Sequence, residues 1–226
     1  MTATTVTNAQ NTLAPNPGYG GTADGVSVRM AGLAVPAPAS RTTVPAQDSG
    51  RASGPFLRKA TDADLEGIME IIEGAREVLR KDGIPQWQNG NPHAGEVKAS
   101  IDRGIVYVYS AADGRIIGTA SIVPAPDPNY ERLYKGTWSR PTEGYAVIHR
   151  FAVSPAFAGQ HMGTRMLEAL VSLIRHRGHD QARIDTHEKN ARMRHLIEKA
   201  GFSYVGEIRV AGEKQDAERY TYEMLF

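Results

Sequence analysis

Between residues 145 and 164 the chain joins an apolar run, a turn holding Gly159, and the start of an amphipathic helix at Met162 with Gly163 in its first turn. That order makes a site for an anion. The first amides of a helix lack intrahelical partners and point out of its N-terminus with the dipole behind them. Gly159 and Gly163 let backbone come close to a phosphate. Two other phosphate-binding patterns do not fit. A P-loop needs four residues between its glycines and then Lys-Ser/Thr; here three residues separate Gly159 from Gly163, and Thr164-Arg165 follows. A dinucleotide site needs GxGxxG, and only Gly-x-x-x-Gly is present.

The elements that must position this turn are legible from periodicity. A short strand is predicted at 56–60. Thr61-Asp62-Ala63-Asp64 has the form of a helix start, with Thr61 as N-cap and Asp64 reaching back to it. Ile68, Ile71, Ile72, Ala75, Val78 and Leu79 then repeat at helical spacing. A turn-rich stretch leads to a second helix at 94–103. Strands are predicted at 105–110 and 116–123, joined by Ala112-Asp113-Gly114, and at 145–153 after a long loop over 124–144. A helix at 162–177, a buried strand at 182–186, a helix at 190–200 and strands at 203–210 and 219–226 complete the chain. The order β-α-α-β-β-β-α-β-α-β-β describes one α/β domain of the α+β kind. Its sheet is mixed and mostly antiparallel, with six to seven strands flanked by helices and a central βαβ crossover. The domain is expected over residues 55–226. Residues 1–54 are rich in Thr, Ala, Pro, Gly, Ser and Asn and show no lasting period. They bury too little apolar surface to offset backbone entropy, and a disordered tail is expected there.

Composition excludes several classes of partner. The 226 residues carry a formal charge of +1, from 26 Lys and Arg against 25 Asp and Glu. There is no basic stripe of the kind that binds nucleic acid. Cysteine is absent, which removes disulfides, thiolate metal ligands and a Cys nucleophile. His176, His179 and His187 lack the paired spacing of a metal site and read as surface or turn residues, so no metal is expected. No apolar run approaches the ~20 residues of a membrane span. The polar, uncharged start from Met1 to Gly21 is unlike a secretory signal. Met30 offers a second candidate initiator. No membrane association and a cytoplasmic location are expected.

Two stretches bear a family likeness. Ile148-His149-Arg150-Phe151-Ala152-Val153-Ser154-Pro155 with Ala158-Gly159-Gln160-His161-Met162-Gly163-Thr164-Arg165-Met166-Leu167 resembles the acetyl-CoA motif of the GNAT superfamily of N-acetyltransferases. Ile184-Asp185-Thr186 to Asn190, ending in Glu198-Lys199-Ala200-Gly201-Phe202, is similar to its second signature. The likeness covers residues 56–226. Departures exist. The pattern Gln/Arg-x-x-Gly-x-Gly/Ala falls on Ala158, His161 and Gly163, of which only Gly163 agrees, and His161 must hold a backbone shape usually left to glycine. Ile197 stands where many members carry a Tyr that protonates the leaving thiolate.

The resemblance implies transfer of an acetyl group from acetyl-CoA to a primary amine that attacks the thioester directly. It places pantetheine along Phe151, Ala152 and Val153 like an added strand. The pyrophosphate falls at the amides of Gly159, Gln160, His161, Gly163 and Thr164, and Asn190 near the thiol end. An alkyl amine with a pKa near ~10.4 must lose a proton, so a base is needed. His149 is the first candidate, set by alternation on the same strand face as Phe151; Glu143 and Tyr145 are alternatives. Water, Tyr204 or His195 could protonate the thiolate. Trp87 stands where members often build the acceptor wall, or caps the core. The acceptor itself is open: a small molecule or peptide amine. The departures also leave room for a catalytically impaired, CoA-binding regulatory module. Members often pair through sheet edges, so a homodimer is an expectation of the resemblance alone.

Overall fold

A computed structural model describes residues 54–140, 143–211 and 217–226. The tail expected over 1–54 lies outside the described residues apart from Gly54. The strands are β1 (Phe56–Lys59), β2 (Val106–Ser110), β3 (Ile116–Pro124), β4 (Lys135–Gly136), β5 (Tyr145–Val153), β6 (Gln181–Thr186), β7 (Ser203–Arg209) and β8 (Glu218–Leu225). They form one sheet in the order β1-β2-β3-β5-β6-β8-β7-β4. The helices are α1 (Leu65–Lys81), α2 (Ala94–Asp102), α3 (Met162–His176) and α4 (Ala191–Lys199). The expected α+β architecture is present. Only β5 and β6 run parallel among the described strands, joined by the crossover through α3.

Strand alternation divides the core. Val106 and Val108 of β2 meet Ile68 and Ile72 of α1 and Val97 and Ile101 of α2 on one face of the sheet. Tyr107 and Tyr109 point to the other face, with Ile117, Ile122, Ala146 and Ile148, against Met166, Leu167, Leu170 and Ile174 of α3.

The start of α1 follows the sequence reading through a 3₁₀ turn at Asp62–Asp64. The Asp64 carboxylate accepts from Thr61 N at 2.7 Å and Thr61 Oγ1 at 2.9 Å. It also takes two bonds from Arg58, at 2.8 and 2.7 Å. Those Arg58 bonds outweigh burial and, with Thr61, hold the carboxyl at a pKa of about 2.

One strand was not expected. The loop over 124–144 contains β4, which pairs with the sheet edge at β7. Two residues carry no readable period. Their pairing needs glycine on both sides, because a Cβ on Gly136 would lie 2.0 Å from Val205 O and one on Gly206 1.9 Å from Lys135 O.

Candidate active site

The cleft comes from the end of a strand pairing. β5 and β6 stay in register from Tyr145↔Gln181 to Ile148↔Ile184. Both continue, β5 to Val153 and β6 to Thr186. Beyond Ile148 no strand pairs with β5 on that side among the described residues, so its edge faces a cleft of about 720 Å³. The cleft is lined by Phe151–Val153 on one wall and Ile184–Thr186 on the other.

On its far side β5 is bent by a bulge. Thr119 opposes Ala152 and Ser121 opposes His149, so Arg150 and Phe151 share a single partner position on β3. Arg150 takes the left-handed backbone conformation, φ 53°. The extra residue breaks the alternation that placed His149 and Phe151 on one face. Both still line the cleft, but the bulge brings them there rather than the strand period.

Below the cleft, Ser154 leads into a short 3₁₀ turn at Pro155–Phe157 and then to α3. Gly159 has φ 75° with open space at its missing Cβ, and His161 is the N-cap at φ 57° without a side-chain cap bond. His161 therefore does hold the glycine-like conformation. The α3 N-terminus is left to its backbone amides.

His149 is held from behind. Its Nε2 lies 2.8 Å from Asp127 Oδ2, whose side chain is 9% exposed. An ionised carboxylate only accepts, so Nε2 donates in this bond, and in the neutral ring Nδ1 is then the acceptor. Burial opposes charge on Asp127, yet the hydrogen bond and charge of His149 and the amide of Asn129 keep its pKa below the ordinary value. The loop carrying Asp127 is pinned from several sides. Asp127 N donates to Tyr145 Oη at 2.9 Å. Tyr130 packs edge-on against the His149 ring at 5.6 Å, and its hydroxyl donates to Asp185 Oδ1. Burial, the Asp185 charge and that bond push the Tyr130 hydroxyl well above its usual pKa, so it stays protonated. Buried Arg183 lies between Trp138 and Tyr145, 3.6 and 3.9 Å from their ring centres, and donates to Tyr130 O at 3.3 Å.

A family model described as the acetyltransferase (GNAT) family matches residues 72–202, more than half of the chain. The chain belongs to the GNAT acetyltransferase family. It is an N-acetyltransferase. It is similar to the uncharacterized N-acetyltransferase YesJ of Bacillus subtilis (strain 168), 26% identical over 157 residues, 69% of this chain and 85% of that protein. A GNAT-family acetyltransferase from Streptococcus agalactiae 2603 superposes with a TM-score of 0.67 at 30% identity, covering 76% of this chain and 95% of that one. The PaiA N-acetyltransferase of Thermoplasma acidophilum, solved in complex with coenzyme A, gives 0.55 at 16% identity, covering 77% and 100%; at that identity the likeness is one of fold.

In this GNAT domain His149, Phe151, Ala152, Val153, Gly163, Asn190 and Trp87 all line the cleft. Gly159, Gln160, His161 and Thr164 form the adjoining turn and first turn of α3, the first three of them exposed. Asn190 also caps α4, where its Oδ1 accepts from Met193 N at 3.1 Å. Trp87 is half-buried, packs against the α1–α2 core and has φ 67°. It thus both caps the core and lines the cleft. The two alternative bases fall elsewhere. Glu143 is exposed outside the lining, and Tyr145 is 1% exposed among Val147, Tyr130 and Ile208. Both sit at the start of β5, while the cleft opens at its end. Tyr204 is half exposed on β7 and His195 lies on the exposed side of α4, neither in the lining. Ile197 is wholly buried in the core. His187 is 3% exposed, a buried turn residue whose Nδ1 accepts from Lys189 N at 3.1 Å. Among the described residues no helix is long and apolar enough to cross a membrane.

The sequence reading missed Asp127 and Tyr130. Each lies in a loop of Pro, Asp and Asn residues without periodicity, and only the tertiary path of that loop brings them to His149.

Proposed function

We propose that this enzyme moves the acetyl group of acetyl-CoA to a primary amine by direct attack on the thioester, with His149 as general base. One observation carries the reading: His149, bonded to a buried carboxylate, stands where β5 parts from β6 and its edge becomes unpaired. Pantetheine fits along that edge at Phe151–Val153 as an added strand. The pyrophosphate fits the amides from Gly159 to Thr164, where the uncapped α3 N-terminus favours an anion. Holding both reactants in this order supplies much of the acceleration, roughly 7–11 kcal/mol for well-oriented groups.

In the reaction the amine nitrogen bonds to the thioester carbonyl carbon, and its proton passes to Nδ1 of His149. An edge amide of the bulge stabilises the oxyanion. The C–S bond then breaks to give the amide and a thiolate. A thiol pKa near ~8.5 lets the thiolate leave and be protonated through solvent as His149 gives up the proton it took, so buried Ile197 does not block turnover. Acid assistance from Tyr204 or His195 finds no support in their positions.

Calorimetry with CoA and acetyl-CoA, followed by a thiol-release screen over amines, tests the reading. His149→Ala should keep the binding heat and lose turnover by roughly 10²–10⁴ at neutral pH, less at high pH. Binding without turnover across the screen would instead favour the regulatory module. Turnover untouched in His149→Ala would remove the base.

A further inference from the structure

No step of the proposed mechanism uses the Arg150 guanidinium. Arg150 is the bulge residue itself, held at φ 53°, a backbone conformation that residues with a Cβ seldom adopt. It is half-buried, lines the cleft and reaches α2, where its Nη1 donates to Ser100 Oγ at 3.1 Å. Ser100 is buried and its hydroxyl in turn donates to Glu96 O at 2.8 Å.

Among the described residues no carboxylate forms an ion pair with Arg150. Glu96 exerts a favourable charge on it, but Glu96 Oε2 accepts from His93 N at 3.1 Å and closes the α2 capping box. Arg103 adds repulsion, and burial is the chief cause of a lowered Arg150 pKa. A guanidinium offers five N–H donors in a planar fork suited to a carboxylate, and the Ser100 hydroxyl engages one. A cation kept partly from water with most of its donors unspent, in the wall of a substrate cleft, is built for an anion that arrives with a ligand.

We propose that Arg150 receives an anionic group of the acceptor, which makes the acceptor an amino-acid-like zwitterion: a primary amine with a carboxylate a few bonds away. The inference rests on the acetyl-transfer reading of the same cleft. His149 and Arg150 are neighbours on the chain, with Cα atoms ~3.8 Å apart. Both line one cleft, and a base and an anion receptor in one cleft suit an amine and an anion on one small molecule. Polyamines and other polycations fit poorly. The two carboxylates of the cleft lining are engaged already, Glu96 by the α2 cap and Asp185 by the Tyr130 hydroxyl, and a second ammonium would meet Arg150.

The test uses the full chain at saturating acetyl-CoA, with thiol release measured on the twenty common L-amino acids, their carboxamides and a set of linear polyamines. The best acids should exceed their own carboxamides in kcat/KM by roughly 10- to 100-fold, because the amide leaves the buried cation unpaired. Arg150→Gln should cut kcat/KM for the acid by a similar factor, mainly through KM, and bring the acid-to-amide ratio to about one. Arg150→Lys should recover part of the preference. Calorimetric binding of acetyl-CoA should persist in both variants, which reports an intact fold. Carboxamides or polyamines used as well as the acids would overturn the proposal, as would a preference that survives Arg150→Gln or no turnover of any amino acid. If wild type binds acetyl-CoA and prefers uncharged or polycationic amines, this inference alone falls; if it binds no acetyl-CoA, the acetyl-transfer reading falls with it.

Discussion

Replacing Asp127 with Asn isolates the charge behind His149. Asn has the same shape and can still accept through its side-chain oxygen. The loop keeps its other ties, because Asp127 N donates to Tyr145 Oη and Tyr130 N to Asp127 O, at 2.9 and 2.8 Å. What goes is the carboxylate opposite an imidazole that, in the proposed mechanism, becomes a cation as the amine loses its proton. The two side chains are 9% and 25% exposed, so solvent screens the pair weakly. Hydrogen bonds to charged groups contribute roughly 1.5–3 kcal/mol. At about 1.4 kcal/mol per decade, Asp127→Asn should lower kcat/KM about 10- to 100-fold near neutrality. The assay is steady-state thiol release at saturating acetyl-CoA as a function of pH, with cofactor affinity followed separately and expected to hold. The deficit should shrink as pH approaches the pKa of the acceptor amine, which then needs no base. Asp127→Asn combined with His149→Ala should be little worse than His149→Ala alone, since the carboxylate acts through the ring. Asp127→Asn within about twofold of wild type at neutral pH, or a deficit equal at every pH, would refute the assignment.

Two further outcomes concern the scaffold. Asp64 has a folded pKa of about 2 against an ordinary value of 3.8, so its ionised form stabilises the fold above the unfolded value and that contribution is lost as pH falls through about 2. Asp64→Asn should cost on the order of 2 kcal/mol at pH 7 in urea unfolding, and the gap to wild type should close in strong acid; a gap that stays constant down to that range would show that charge is not the cause. In Gly118→Ala the new Cβ would lie 2.6 Å from Met166 Sδ and 2.8 Å from Ala152 O. The methionine tip can yield, but the carbonyl belongs to the bulged strand. A loss of roughly 1–3 kcal/mol is expected, lowering the melting temperature by roughly 2–4 °C per kcal/mol, together with weaker acetyl-CoA binding; an unchanged melting curve and affinity would show that the ladder gives way freely.

Sequence alone determined whatever local rules govern. The apolar stripe of α1, the glycine-containing turn into α3 and the hairpin between β2 and β3 are set by residues a few positions apart, whose periodicity survives in one dimension. The same local pattern carried the family resemblance and with it the expectation of a cofactor edge at Phe151–Val153, residues that line the cleft. His149 drew notice by residue type and lines the cleft, but the alternation that set it on one face with Phe151 is broken by the bulge. Tertiary structure decided the rest. Asp127 meets His149 from 22 positions away, through a loop whose path depends on Arg183 between two aromatic rings and on a two-residue strand at the far sheet edge. The bulge at Arg150 arises from a mismatch of one residue between β3 and β5, a property of two strands in register and of neither alone. Strand alternation predicts which residues share a face only while the ladder is regular. It failed at Arg150, where the strand turns its edge and its cation into the cleft.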